Sequence, residues 1–209
     1  MQRLALIFFI ASELCYYLLV AQTGIVEYFS SDIFVIAPLP IGGIIGSLLV
    51  PFLKIDNRYK IFLFLTIQLI MSFIYPNFNF ATLFILGLAV GSMAPLIINE
   101  IKKIKPLELG LALSLSYVTG TFLFNYDASS RGFIAITLTT ITILASIFLP
   151  QKNYKKEFDS TNHSLILMIL WVFLDSSLFE SLSRDVTISI WRDGFSFEIA
   201  LFHVIGVFC

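Results

Sequence analysis

Glu13 sits midway along an unbroken apolar run at about residues 4–22. A carboxylate at the centre of a membrane helix costs roughly 2.5–3.5 kcal/mol on insertion scales, so such a group should face a cavity or a partner. Three kinds of chemistry fit it: carrying a proton, binding a solute, or packing as a hydrogen-bonded acid against a neighbouring helix. Asp175 occupies the equivalent place in a later run, about 164–182. In that run Glu180 and Arg184 are four residues apart and share a helical face, where they can pair. Asp175 lies about 140° around the axis from Glu180 and is expected to point toward the same interior as Glu13. Gln68, midway along the run at about 61–75, can donate and accept; it is either glue between helices or a second solute contact. Tyr17 shares the face of Glu13 with Ala5, Phe9, Tyr16 and Val20 by helical spacing. Glu13, Asp175, Tyr17 and Gln68 are therefore the candidate residues for substrate binding or proton coupling. Asn99 and Glu100, beside Lys102 and Lys103, read as a solvated helix cap, Gln22 and Thr23 as end residues, and His203 as a packing residue.

Other chemistry has no carrier. The two histidines, His163 and His203, have no CxxC or HxxxH company, so no metal site is expected. Cys15 and Cys209 both fall in apolar stretches and read as thiols. There is no GxSxG, HExxH, P-loop or dinucleotide fingerprint, so neither a catalytic residue nor a cofactor is expected. Any transport would have to run on an ion or solute gradient.

The elements that position these residues follow from composition. Of 209 residues 58% are hydrophobic and only 13% charged, where a soluble domain carries about 25% charged residues; the mean hydropathy is +0.92. So few charges cannot cover so apolar a chain in water, and lipid is the solvent that fits. The 22 phenylalanines suit lipid-facing surfaces, and a net charge of −1 gives no basic surface for nucleic acid. A crossing helix needs about 20 mostly apolar residues. Runs at about 4–22, 33–53, 61–75, 80–98, 108–125, 132–149 and 164–182 qualify, and 195–209 makes part of an eighth. Their apolar residues do not alternate, which argues against a membrane β-barrel. The expectation is an all-α polytopic bundle of about 7.5 transmembrane helices.

Sidedness comes from the positive-inside rule. With the N-terminus in the cytoplasm, the inner segments hold Arg3, Lys54, Arg58, Lys60, Lys102, Lys103, Lys105, Lys152, Lys155 and Lys156, ten in all. Arg131, Arg184 and Arg192 fall outside, and ten plus three accounts for all 13. The expected organisation is a six-helix bundle over 1–150, a cytoplasmic loop over 151–163 and the start of a second bundle over 164–209. Asp175 follows Glu13 by 162 positions, and the last run breaks off at Cys209 short of a full crossing. Both suggest a second copy of the six-helix pattern and a chain that continues beyond Cys209 through about four further spans.

Three stretches carry a family resemblance. The first is Gly42-Gly43-Ile44-Ile45-Gly46 followed by Lys54-Ile55-Asp56-Asn57-Arg58-Tyr59-Lys60. The second is Gly87-Leu88-Ala89-Val90-Gly91-Ser92-Met93-Ala94-Pro95. The third is Pro106-Leu107-Glu108-Leu109-Gly110-Leu111-Ala112, then Tyr117-Val118-Thr119-Gly120. Together they resemble the N-terminal part of a major facilitator superfamily transporter. Asp56 and Lys60 match the aspartate and a basic position of that family's inner loop, while Phe52, Asn57 and Tyr59 depart from it. The resemblance implies a two-bundle transporter with a central cavity, and makes Asp56, Arg58 and Lys60 gating-loop candidates. Gly42/Gly46 and Gly87/Gly91 have small-xxx-small spacing, which suits close helix packing. The expected function is secondary active transport of a small solute, with H+ as a possible partner, across a bacterial inner membrane. The alternative is a non-transporting polytopic protein, either an assembly partner or a membrane enzyme whose active site lies outside this stretch.

Overall fold

The computed structural model describes residues 2–29, 33–124 and 126–149, with Leu201, Val204 and Ile205. Every element among them is helical and none is a strand. Helix α1 (Gln2–Tyr16) runs directly into a π-helical segment (Tyr17–Gly24) and then α2 (Ile25–Tyr28). After α3 (Ile33–Ile36) come α4 (Pro38–Leu49), α5 (Asn57–Ile74), α6 (Phe80–Ile101), α7 (Pro106–Phe124) and α8 (Arg131–Ile147). Among the described residues, three stretches are long and apolar enough to cross a membrane: Gln2–Ala21, Phe34–Phe52 and Phe80–Ile101.

Local chemistry sets the starts of α4 and α6. Pro38 stands in the first turn of α4, where its missing N–H leaves no helical bond unmade. Asn79 and Thr82 cap α6 reciprocally: Thr82 N–H donates to Asn79 Oδ1 at 2.9 Å and Asn79 N–H donates to Thr82 Oγ1 at 2.7 Å. Two boundaries differ from the sequence reading. The first run does not stop near 22 but stays helical to Tyr28 through the π segment. The second run, expected as one helix over 33–53, is broken at Ala37 ahead of Pro38 and Pro40 and tightens to a 3-10 turn over Val50–Phe52.

The principal packing pairs are α4 with α6, α1 with α7, α1 with α8, α5 with α6, and α5 with α8. Exchanging α1 with α6, α4 with α7 and α5 with α8 maps this set onto itself. The first three long helices and the last three thus choose partners in the same pattern. The α4–α6 seam is the closest. A Cβ built on Gly42 or Gly46 would overlap the carbonyls of Phe84 or Leu88, one on Gly87 the carbonyl of Leu39, and one on Gly91 the backbone of Gly43. Backbone therefore lies on backbone along the seam, an approach that only residues without a side chain allow.

The buried apolar residues form two clusters stacked along the bundle axis. One contains Tyr16, Leu19, Ile25, Tyr75, Leu86 and Leu138; the other contains Phe9, Ile10, Leu65, Met93, Leu96 and Ala145.

Candidate functional site

Between the two apolar clusters lies a layer of buried polar side chains. On α1 it holds Ser12 and Glu13, between Ala11 of one cluster and Cys15 of the other. On α5 it holds Gln68, between Leu65 and Met71; on α6 Ser92, between Val90 and Met93; on α8 Thr139 and Thr142, between Leu138 and Ala145. Glu13 is 2% exposed, and Gln68, Ser92, Thr139 and Thr142 are fully buried.

Three polar pairs tie α1 to its neighbours at this level. Gln68 Nε2 donates to Glu13 Oε2 at 3.3 Å. Tyr16 OH and Ser72 Oγ lie 3.1 Å apart, and Ser72 Oγ in turn lies 2.8 Å from Gln68 O. Ser12 Oγ and Thr142 Oγ1 are 2.8 Å apart. The layer is incompletely bonded among the described residues: Gln68 Oε1, Ser92 Oγ and, on α7, Ser114 Oγ and Ser116 Oγ are buried without a hydrogen-bond partner. A buried polar atom left unbonded costs about 1–3 kcal/mol, so the layer carries uncompensated hydrogen-bonding capacity.

Of the four candidates for coupling, the structure brings Glu13 and Gln68 together. Tyr17 opens the π segment, is 47% exposed and makes none of these contacts; its neighbour Tyr16 is the tyrosine that points inward. Asp175 lies outside the described residues, as do Glu180, Arg184, His203 and the whole 151–163 loop. No metal-binding group of His, Cys, Asp or Glu occurs among the described residues.

No family model, curated protein or solved structure matches the chain.

The gating-loop candidates occupy the end of the bundle that bears Arg3. Asp56 is exposed and caps α5 without a side-chain hydrogen bond. Arg58 Nη2 donates to Ile147 O at 2.5 Å, at the end of α8. Lys60 is buried and its Nζ donates to Val50 O at 3.0 Å. Both cations thus satisfy carbonyls at helix C-termini, where the helix dipole favours positive charge. At the same end Arg3 Nη1 meets Glu108 Oε1 at 2.7 Å, joining α1 to α7.

Two residues differ from their sequence reading. Glu100 is buried and not solvated; it pairs with Lys103 at 2.6 Å. Arg131, expected in a connecting segment, is 1% exposed. Its Nη1 donates to Leu19 O at 3.2 Å and to Thr23 Oγ1 at 3.1 Å, and its Nε to Tyr126 O at 3.1 Å. Residue type alone hides both, because a charge at the edge of an apolar run reads equally well as a solvated end.

Proposed function

We propose that the chain is a secondary active transporter of a small solute, built on the plan of the major facilitator superfamily and coupled to H+ through Glu13. The observation that carries the reading is Glu13 itself: a carboxyl sealed in the polar layer, with the Gln68 amide as its hydrogen-bond donor and an unbonded amide oxygen beside it. An ionisable group held at such depth is a functional group by default. The self-mapping of the helix pairs supports the reading further, because three-helix repeats inside a six-helix half are a transporter architecture. In this reading residues 1–150 form the first bundle and 151–163 the cytoplasmic loop. Residues 164–209 belong to the second bundle, whose Asp175 would face the cavity opposite Glu13. The membrane is a bacterial inner membrane with the N-terminus in the cytoplasm.

Coupling requires a group that takes up and releases a proton as the solute site changes sides. Glu13→Gln keeps the shape and the hydrogen bond to Gln68 but removes the titratable proton. The test uses everted membrane vesicles containing the full chain and an imposed pH gradient. Sugars, amino acids, organic acids and organic cations are added in turn, and gradient collapse is followed with a pH-sensitive dye. The expected result is collapse driven by one solute class, abolished by Glu13→Gln. Solute-driven collapse of undiminished rate in Glu13→Gln would make Glu13 a packing residue. No collapse with any class would favour a non-transporting assembly partner.

A further inference from the structure

The π-helical stretch Tyr17–Gly24 is held by a specific set of contacts. Below it, α1 is fixed to α5 and α8 by the Glu13–Gln68, Ser12–Thr142 and Tyr16–Ser72 pairs, the last of which falls only one residue before the stretch begins. Above it, Ile25 N–H reaches Val20 O, five residues back, which is the π bond. A π-helix leaves carbonyls displaced from their α-helical donors, and here other groups take them up. Thr23 Oγ1 donates to Leu18 O at 2.7 Å, and Arg131 Nη1 donates to Leu19 O at 3.2 Å while also holding Thr23 Oγ1. Gly24 is required by the same geometry. A Cβ there would stand 2.6 Å from Leu19 O, 2.8 Å from Tyr75 OH and 3.5 Å from Arg131 Cδ. Thr23 and Gly24 of the stretch itself and Arg131 of α8 thus fit its wide form.

We infer that residues 17–24 are a register joint latched by Arg131: the stretch holds one residue more than an α-helix would, and releasing Arg131 from Leu19 O and Thr23 lets it rewind to α-helix. The inner part of α1 stays in place through its three polar pairs, and the turn falls on everything beyond Gly24. One residue of α-helical register is about 100° of rotation and 1.5 Å of rise, enough to present a different face of α2 at that end of the bundle. Single π turns inside α-helices recur at functional sites. In this chain the joint lies within the apolar cluster that covers the polar layer on the Arg131 side, so its movement would repack that cover. The inference concerns conformation alone and stands whether or not the protein moves a solute.

The test measures distances between spin labels in the full chain, reconstituted in liposomes, with Cys15 and Cys209 replaced by Ala. Labels replacing Tyr28 and Phe80, both exposed at the Arg131 end, read the joint. Labels replacing Leu4 and Tyr59, both exposed at the other end, report that the bundle is folded. Arg131→Gln is expected to add a second Tyr28–Phe80 distance. Its displacement follows from a 100° turn of a label carried about 5 Å from the helix axis, about 8 Å. Gly24→Ala is expected to do the same, and the Leu4–Tyr59 distance should not change in either variant. Deleting Leu18 removes the extra residue. That variant is expected to fold, to keep the native Tyr28–Phe80 distance, and to become insensitive to Arg131→Gln. A single native distance in folded Arg131→Gln and Gly24→Ala would overturn the joint. So would a Leu18 deletion that fails to fold, or one in which Arg131→Gln still produces the second distance.

Discussion

Glu13 and Gln68 illustrate why a buried polar pair is worth more as a pair than as two residues. Removing one partner leaves the other buried and unsatisfied, at a cost of about 1–3 kcal/mol, while replacing both with apolar groups of similar shape is close to neutral. Gln68→Leu should therefore lower the resistance of the full chain to thermal unfolding in detergent by about that amount. The double change Glu13→Leu with Gln68→Leu should recover most of the loss, and a double variant less stable than Gln68→Leu would show that the pair is not the unit. Glu13 was legible in the sequence because a carboxylate within an apolar run is conspicuous. Ser12, Ser92, Thr139 and Thr142 were not, because hydroxyl residues are ordinary in apolar helices and bond their own backbone, as Thr139 does to Ala135 O and Thr142 to Leu138 O. Only the positions of the neighbouring helices bring them to one level. A spacing signal was present in Thr139, Thr142 and Ser146, at i, i+3 and i+7 on α8.

The glycines of α4 and α6 and those of α7 and α8 have different work. Gly91→Ala drives a methyl into the backbone of Gly43, and overpacking of this kind costs about 1–3 kcal/mol or more. Gly120 has nothing within 4 Å of a built Cβ, so Gly120→Ala should be neutral or stabilising by up to about 1 kcal/mol through helix propensity. Unfolding midpoints of the two variants compared with the parent chain check this; equal effects would remove the α4–α6 seam from the account. The small-xxx-small spacing made this seam readable beforehand, although not which helix each glycine pair would meet. The π segment was not readable. Tyr17–Ala21 continue an ordinary apolar helical pattern and Gln22-Thr23-Gly24 read as its end, while the contact from outside that holds the stretch comes from Arg131, more than a hundred residues away in the chain.

For the molecule as a whole, the charge asymmetry predicts that a cysteine replacing Lys155 is shielded from an impermeant thiol reagent added to intact cells and labelled after lysis; labelling before lysis would reverse the proposed sidedness. The central claim is that the helices cross the bilayer and that the polar layer lies at its mid-depth. The outward face of α4 tests it without interference from the site. Phe34 and Phe52 lie near its two ends and Ile44 lies between them; all three are exposed. Ile44 is close to the level of Ser92, because its neighbour Gly43 packs on Gly91 and Gly46 approaches Ser92. Nitroxides are placed at Phe34, Ile44 and Phe52 in turn, in liposomes, and their collision rates with oxygen and with a water-soluble nickel chelate are measured. Ile44 is expected to have the highest ratio of oxygen to nickel collisions, and both ends to be markedly more open to nickel. Equal nickel accessibility at all three positions would contradict it, since a helix lying in water or along the membrane surface has no protected middle.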